Sequence, residues 1–250
     1  MSLSGLLGTV AEDPQLRRAL DYVNQPGAGD ADLIAPSALR PVLVASLAAT
    51  SGDAKRDADQ RFVLAITATA REAEDLTNAL NSLLPDSRAA EYFPAWETLP
   101  HERLSPRSDT SGRRLAVLRR LVRPEQGDPR SGPLQVVATP IRSVLQPLVG
   151  GLGQLDPVRL DQGKQAELED VVARLVEIGY ARVDLVTNRG EIAVRGGILD
   201  VFPPTEEHPL RVEFFGSDIE EIRPFRAADQ RSLGTSTDSL WAPPCRELLL

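Results

Sequence analysis

The chain has 250 residues, with 28 Lys or Arg against 36 Asp or Glu and a formal net charge of −8 at pH 7, an acidic balance that excludes nucleic-acid binding by the whole surface and leaves room only for a local basic patch. Hydrophobic residues make up 42% and charged residues 26%, as in an ordinary soluble globular protein with enough chain for one large domain or two smaller ones. A single cysteine, Cys245, excludes an internal disulfide, and with only His101 and His208 beside it no cluster stands at metal-ligand spacing, so neither a metal nor another cofactor is expected.

The opening MSLSGLLGTVAEDPQLRRAL has no basic stretch ahead of an apolar one, and no segment has the length of a membrane span. No secretory signal or membrane partner is expected, and the cytoplasm is the default compartment. A first helix is predicted over 13–23, with Leu16, Leu20 and Val23 at helical spacing and Pro14 just inside an Asp13 cap. After the break PGAGDAD a second helix is expected over 37–49. The polar insertion SGDAKRDADQ then leads into FVLAIT at 62–67, which reads as a buried parallel strand.

Residues 70–84 place Ala73, Leu76, Ala79, Leu80 and Leu83 on one helical stripe that Pro85 ends. A short strand around Tyr92, a helix over 110–122, the loop PEQGDPRSGP at 124–133, the strand LQVVAT at 134–139 and a short helix follow. This alternation implies an α/β layer structure with parallel pairing.

After GGLG at 150–153 the pattern changes to one helix, 164–178, stopped at Gly179, and strand-like runs at 182–186, 191–195, 197–202, 210–215 and 218–223. This reads as a second domain of α+β type. In the run 210–215 a period of two puts Leu210, Val212 and Phe214 on one face and Arg211, Glu213 and Phe215 on the other. A phenylalanine beside arginine and glutamate either tucks under the GSD turn as core or belongs to a desolvated interface, where arginine and aromatic rings are favoured. Arg195 points opposite to Val194 and Ile192, and Asp200 is outward by the same alternation; Glu220 and Glu221 follow the turn. Each of these has a plain reading as a solvated strand charge.

Three stretches, YFPAWETLPHERLSPRSD at 92–109, GEIAVRGGILDVFPP at 190–204 and LRVEFFGSDIEEIRPF at 210–225, together with QRSL at 230–233, make the chain resemble the N-terminal module of the transcription-repair coupling factor family. The excinuclease protein UvrB carries a similar arrangement. The resemblance implies a degenerate helicase-like (RecA/P-loop-related) parallel-sheet domain over 1–154, an inserted α+β domain over 155–240 that docks the excinuclease protein UvrA, and a return to the first domain over 241–250. It also implies that Arg195, Arg211 and Phe215 form the contact set for that partner; Glu213 and Asp200, outward by alternation, are weaker candidates for the same contact. RNA polymerase and DNA would be met through parts of the family protein outside this sequence.

Catalysis by this chain is not expected. No G-x-x-x-x-G-K-[ST] occurs; where the helicase fold would place it, LIAPSALRPVLVASLA has Ala35 and Pro36 in the loop, only Ser37 as a hydroxyl, and no lysine before Lys55. His101 beside Glu102 lacks an accompanying nucleophile motif and reads as a loop residue. Cys245 reads as a small buried residue. Two alternatives stay open: a nucleotide-dependent repair helicase of the UvrB type, and a DNA-holding module built on Arg103, Arg107, Arg113, Arg114, Arg119, Arg120 and Arg123, with Arg113 and Arg114 as its possible nucleic-acid contacts. That stripe reads equally as the solvated face of a helix opposite Leu115, Leu118 and Val122.

Overall fold

A computed structural model describes residues 4–10, 12–25, 27–49, 62–86, 88–98, 105–125 and 130–247. In chain order its elements begin with α1 (Ser4–Val10), α2 (Pro14–Asn24), α3 (Arg40–Ala49), β1 (Val63–Thr67), α4 (Ala70–Leu83), β2 (Ala90–Tyr92), α5 (Ser108–Val122), β3 (Val136–Pro140) and α6 (Ile141–Val144). They continue with β4 (Val158–Asp161), α7 (Leu168–Glu177), β5 (Ala181–Arg182), β6 (Glu191–Arg195), β7 (Ile198–Val201), β8 (Leu210–Phe215), β9 (Asp218–Pro224) and β10 (Ser239–Ala242). The insertion at 51–60, with Lys55, and His101, Glu102 and Arg103 lie outside the described residues. No helix among those described is long and apolar enough to cross a membrane.

Packing divides the chain into two units, Met1–Ala95 with Pro124–Gln146 and Trp96–Arg123 with Pro147–Leu250. It thus groups α5 and residues 241–247 with the second unit, whereas the sequence division puts both in the first domain.

In the first unit, local sequence sets the helix ends. The Asp13 carboxylate accepts from the amides of Gln15 and Leu16, both at 2.9 Å, and Pro14 needs no partner for the amide it lacks. Thr69 and Glu72 form a reciprocal capping box that starts α4. Strands β1, β3 and β2 pair in parallel in that order, and Val42, Ala45 and Ala48 of α3 meet Leu80 and Leu83 of α4, Ala90 and Val136 in one core. The unit is mixed α/β around a parallel sheet.

Two expectations for this unit need correction. FVLAIT is not buried on both faces: β1 is an edge strand whose Val63 and Ala65 face the helices, while Phe62, Leu64 and Ile66 stay about half exposed. A continuous apolar run cannot by itself distinguish a central strand from an edge. The stretch expected at the phosphate-loop position is likewise not entered from a strand, since residues 28–36 have no regular structure and α3 starts through a single turn of 3₁₀ helix, Ser37–Leu39.

The second unit holds a five-stranded sheet, β5-β6-β7-β8-β9, and the antiparallel pair β10-β4. Among the described residues the larger sheet has one parallel pairing, β5 on β6. One face of this sheet supplies Ile192, Leu199, Val201, Leu210, Val212, Ile219 and Ile222 to a core closed by Val171 and Leu175 of α7 and by Leu160 and Leu240. Helix α7 begins at Leu168 rather than near 164, because Gln165 is bridged to Asp218 and so belongs to the edge of the sheet. It ends where predicted. Gly179 takes φ 99°, and the amides of Gly179 and Tyr180 donate to the carbonyls of Val176 and Leu175.

Strands β4 and β10 are not foreseen in the sequence reading. They are four residues each and stabilise one another across nearly eighty residues of chain, as Leu240 opposite Leu160 and Trp241 opposite Arg159. Cys245 is buried beside this pair, and burial pushes its thiol up to about 12. Its amide donates to the Ile178 carbonyl at 2.9 Å, which fastens the end of the described chain to the α7 turn.

Candidate functional site

The sheet face opposite α7 is where polar alternation collects. Pairing puts Asp200 of β7 opposite Ala193 of β6 and Arg211 of β8, and puts Arg211 and Glu213 of β8 opposite Arg223 and Glu221 of β9. With a side-chain period of two, Arg195, Asp200, Arg211, Glu213, Glu221 and Arg223 all emerge on this one face.

Two ion clusters result. Asp200 accepts from Nη2 of Arg195 at 2.8 Å and from Nε and Nη2 of Arg211 at 2.7 and 2.9 Å. Its side chain is 1% exposed, those of Arg211 and Arg195 14% and 50%. The Arg211 guanidinium also lies 4.7 Å from the centroid of the buried Phe225 ring, a cation–π distance. Hydrogen bonding to Asp200 holds this guanidinium above its ordinary pKa against the opposing effect of burial. In the second cluster Arg223 donates to both Glu213 and Glu221.

Phe215 closes the row. It pairs with Asp218 across the Gly216-Ser217 turn, and the irregularity in β8–β9 pairing just before it re-aims the end of the hairpin. Its side chain does not tuck under the turn: Phe215 is 73% exposed, while the neighbouring Phe214 packs on the core. An exposed aromatic ring thus ends a strand whose outward charges are otherwise committed to ion pairs. Beside Arg195, an open groove of about 630 Å³ is lined by Arg182, Val183, Asp184, Val194 and Arg195.

The loop entering β6 is held by Glu191. Burial pushes its carboxyl up, but hydrogen bonds from the Asn188 side chain and from the amides of Thr187 and Asn188 outweigh this and keep it below the ordinary value. The loop presents Arg189 over the Phe202 ring at 5.0 Å. The start of β6, and with it the position of Arg195, is therefore fixed by side chains as well as by the ladder.

Of the residues singled out in the sequence, Arg195, Arg211, Glu213, Phe215 and Asp200 share this face, but they are not equivalent. Asp200, expected as an outward charge, is corrected to a buried counter-ion: two arginines from the flanking strands close over it. Arg211 is largely turned inward onto the same carboxylate. Sequence reasoning misses Arg223 and Phe225, although the alternation Glu221, Arg223 and Phe225 along β9 and just beyond it carries the signal.

The arginine stripe is not one continuous surface: among its described residues Arg107, Arg113 and Arg123 are exposed, while Arg114 and Arg120 are buried. Arg114, expected as a possible nucleic-acid contact, is fully buried; it donates to Glu247 and lies over the Trp96 ring at 4.9 Å. Arg120 is also buried and Arg119 binds Asp156 at 2.7 Å. Arg113 stays exposed. Helix α5 faces the interior because Gly112 lies against Pro204, where an added Cβ would come within 2.1 Å of the ring.

Residues 158–244 match the family model of the UvrB interaction domain. The chain is 51% identical over 220 residues to a transcription-repair-coupling factor of Mycobacterium tuberculosis, covering 87% of this chain and 17% of that protein. It is 33% identical over 191 residues to that of Bacillus subtilis, covering 75% and 15%. The chain belongs to the transcription-repair-coupling factor family. Within the family it is an N-terminal module, and it spans less than a fifth of the length of these relatives. The matched interval contains both ion clusters, Phe215 and the groove, so the whole polar face lies inside the part of the chain that is recognisable as the family's interaction domain.

Proposed function

We propose that this chain is a docking module of nucleotide excision repair, which recruits the excinuclease protein UvrA to stalled transcription through the polar face of β6, β7 and β8. In this reading residues 155–240 are the docking domain, and the first unit is a helicase-like α/β domain whose nucleotide site is degenerate. Polymerase contacts and DNA translocation belong to the rest of the longer family protein, and the docking module itself does no chemistry.

The observation that carries the reading is that one sheet face presents both the exposed Phe215 ring, at the end of β8, and the half-exposed Arg195, at the end of β6. Arginine and aromatic side chains are the residues most often found at the energetic centre of protein interfaces, and a lone 73% exposed phenylalanine on a charged strand costs solubility unless a partner covers it. The match of residues 158–244 to the UvrB interaction domain supports the same reading. An interface of ordinary size would cover about 800 Å² of this chain.

Titration of the chain into UvrA by calorimetry tests it. Arg195→Ala and Phe215→Ala are each expected to weaken binding by about 2 kcal/mol. Unchanged affinity in both variants would remove these residues from the interface and with them the proposed face.

A further inference from the structure

Arg195 and Arg211 sit on strands that do not touch, since β7 runs between β6 and β8. Asp200 is the residue of β7 that binds both. We infer that Asp200 is a positioning residue of the docking face: its buried carboxylate fixes the two guanidinium groups as a preformed pair that receives a carboxylate of the partner. The inference rests on the docking reading above and deepens it by naming what sets the geometry of the site.

At 1% exposure Asp200 is sealed beneath the arginines it binds, which leaves it no surface of its own to offer a partner. Its effect on recognition must run through their orientation. Arg211 is held at three points, by Nε and Nη2 on the two carboxylate oxygens and by the Phe225 ring beneath its guanidinium. Arg195 is held at one, Nη2, and is half exposed. Its remaining N–H donors have no partner among the described residues, so this is the arginine that can still form a bidentate pair with an incoming carboxylate.

An unrestrained arginine has many rotamers to lose on binding, and a single charge-assisted hydrogen bond to a fixed anion removes much of that loss in advance. Two guanidinium groups against one carboxylate also leave a single excess positive charge at this end of the face. The Arg223 cluster, with two carboxylates against one guanidinium, leaves a single excess negative charge at the other. The matching surface is acidic where it meets Arg195 and basic where it meets Glu213 and Glu221.

The test is a double-variant cycle on the whole chain, with calorimetric affinity for UvrA and urea unfolding measured for wild type, Asp200→Asn, Arg195→Ala and the two combined. Asp200→Asn is expected to weaken binding at least about tenfold, the value of one charge-assisted hydrogen bond. In the Arg195→Ala background the same change is expected to cost less than about threefold, because the half-exposed arginine of the two it positions is gone and the remaining one, Arg211, is only 14% exposed and still held on the Phe225 ring. Wild-type affinity for Asp200→Asn overturns the inference. So does an equal loss in both backgrounds, which would mean that Asp200 acts through the fold alone. If Asp200→Asn does not fold, Asp200→Glu keeps the charge and shifts the carboxylate; weakened binding is expected, and wild-type binding overturns the inference equally. Failure of the docking reading itself is separately visible, as Arg195→Ala and Phe215→Ala both binding like wild type before any Asp200 variant is compared; wild-type binding by Arg195→Ala alone overturns only the inference.

Discussion

Replacing Arg114 with alanine is expected to lower the stability of the second unit by about 3–5 kcal/mol, the usual cost of removing one partner of a buried ion pair. The side chain is entirely buried within α5, donates to Glu247, and lies over the Trp96 ring, whose Nε1 donates to the same carboxylate at 2.9 Å. Trp96, Arg114 and Glu247 come from three separate stretches of the unit, so this cluster joins the segment before α5, the helix itself and the end of the described chain. Without Arg114 the Glu247 carboxylate, 9% exposed, keeps the indole N–H but loses its counter-charge. The neighbouring exposed Arg113 sets the control, since Arg113→Ala is expected to change stability by no more than about 0.5 kcal/mol. Urea unfolding of both variants reads the difference. A loss under about 1 kcal/mol in Arg114→Ala would mean that the cluster is not the fastening described.

Replacing Arg211 is expected to be the second costly change, with a loss of about 2–4 kcal/mol in stability together with weaker binding to UvrA. The alanine variant removes two of the three hydrogen bonds that Asp200 accepts from arginine and uncovers one side of the Phe225 ring. Arg195 alone cannot cover a carboxylate that is 1% exposed. Arg195→Ala behaves differently, because a half-exposed ion pair contributes at most about 1 kcal/mol to stability. The two arginines therefore separate in a paired measurement: Arg195→Ala lowers affinity with stability nearly intact, and Arg211→Ala lowers both. If both variants lost affinity while keeping wild-type stability, Arg211 would be an outward contact and its place under the face would be wrong.

Much of the fold can be read from residues whose effect is local. Asp13 and Pro14 start α2, Pro85 follows the end of α4, Gly179 ends α7, and the alternation in LRVEFF puts Arg211, Glu213 and Phe215 on one face, all from interactions within a few residues. What cannot be read depends on partners far away in the chain. Nothing near Arg114 in sequence announces that Glu247 waits 133 residues on, so an arginine-rich helix reads as solvated when one of its arginines is at the centre of the unit. Alternation puts Asp200 on the correct face, but alternation gives direction and not depth. Its burial comes from the convergence of two long side chains from flanking strands, a property of the sheet order. Strands β4 and β10 escape the sequence for the same reason: each is short and weakly patterned, and only their mutual pairing makes them strands.

The central claim, that a partner covers the Phe215 end of the β6–β7–β8 face, is tested most directly by hydroxyl-radical footprinting of the chain with and without UvrA. Phe215 and Leu145 are similarly open in the free chain, at 73% and 77% exposure, so Leu145 provides an internal reference in the first unit. At saturating partner, oxidation of Phe215 is expected to fall several-fold while that of Leu145 stays unchanged. Equal oxidation of Phe215 in the free and fully bound chain would contradict the account.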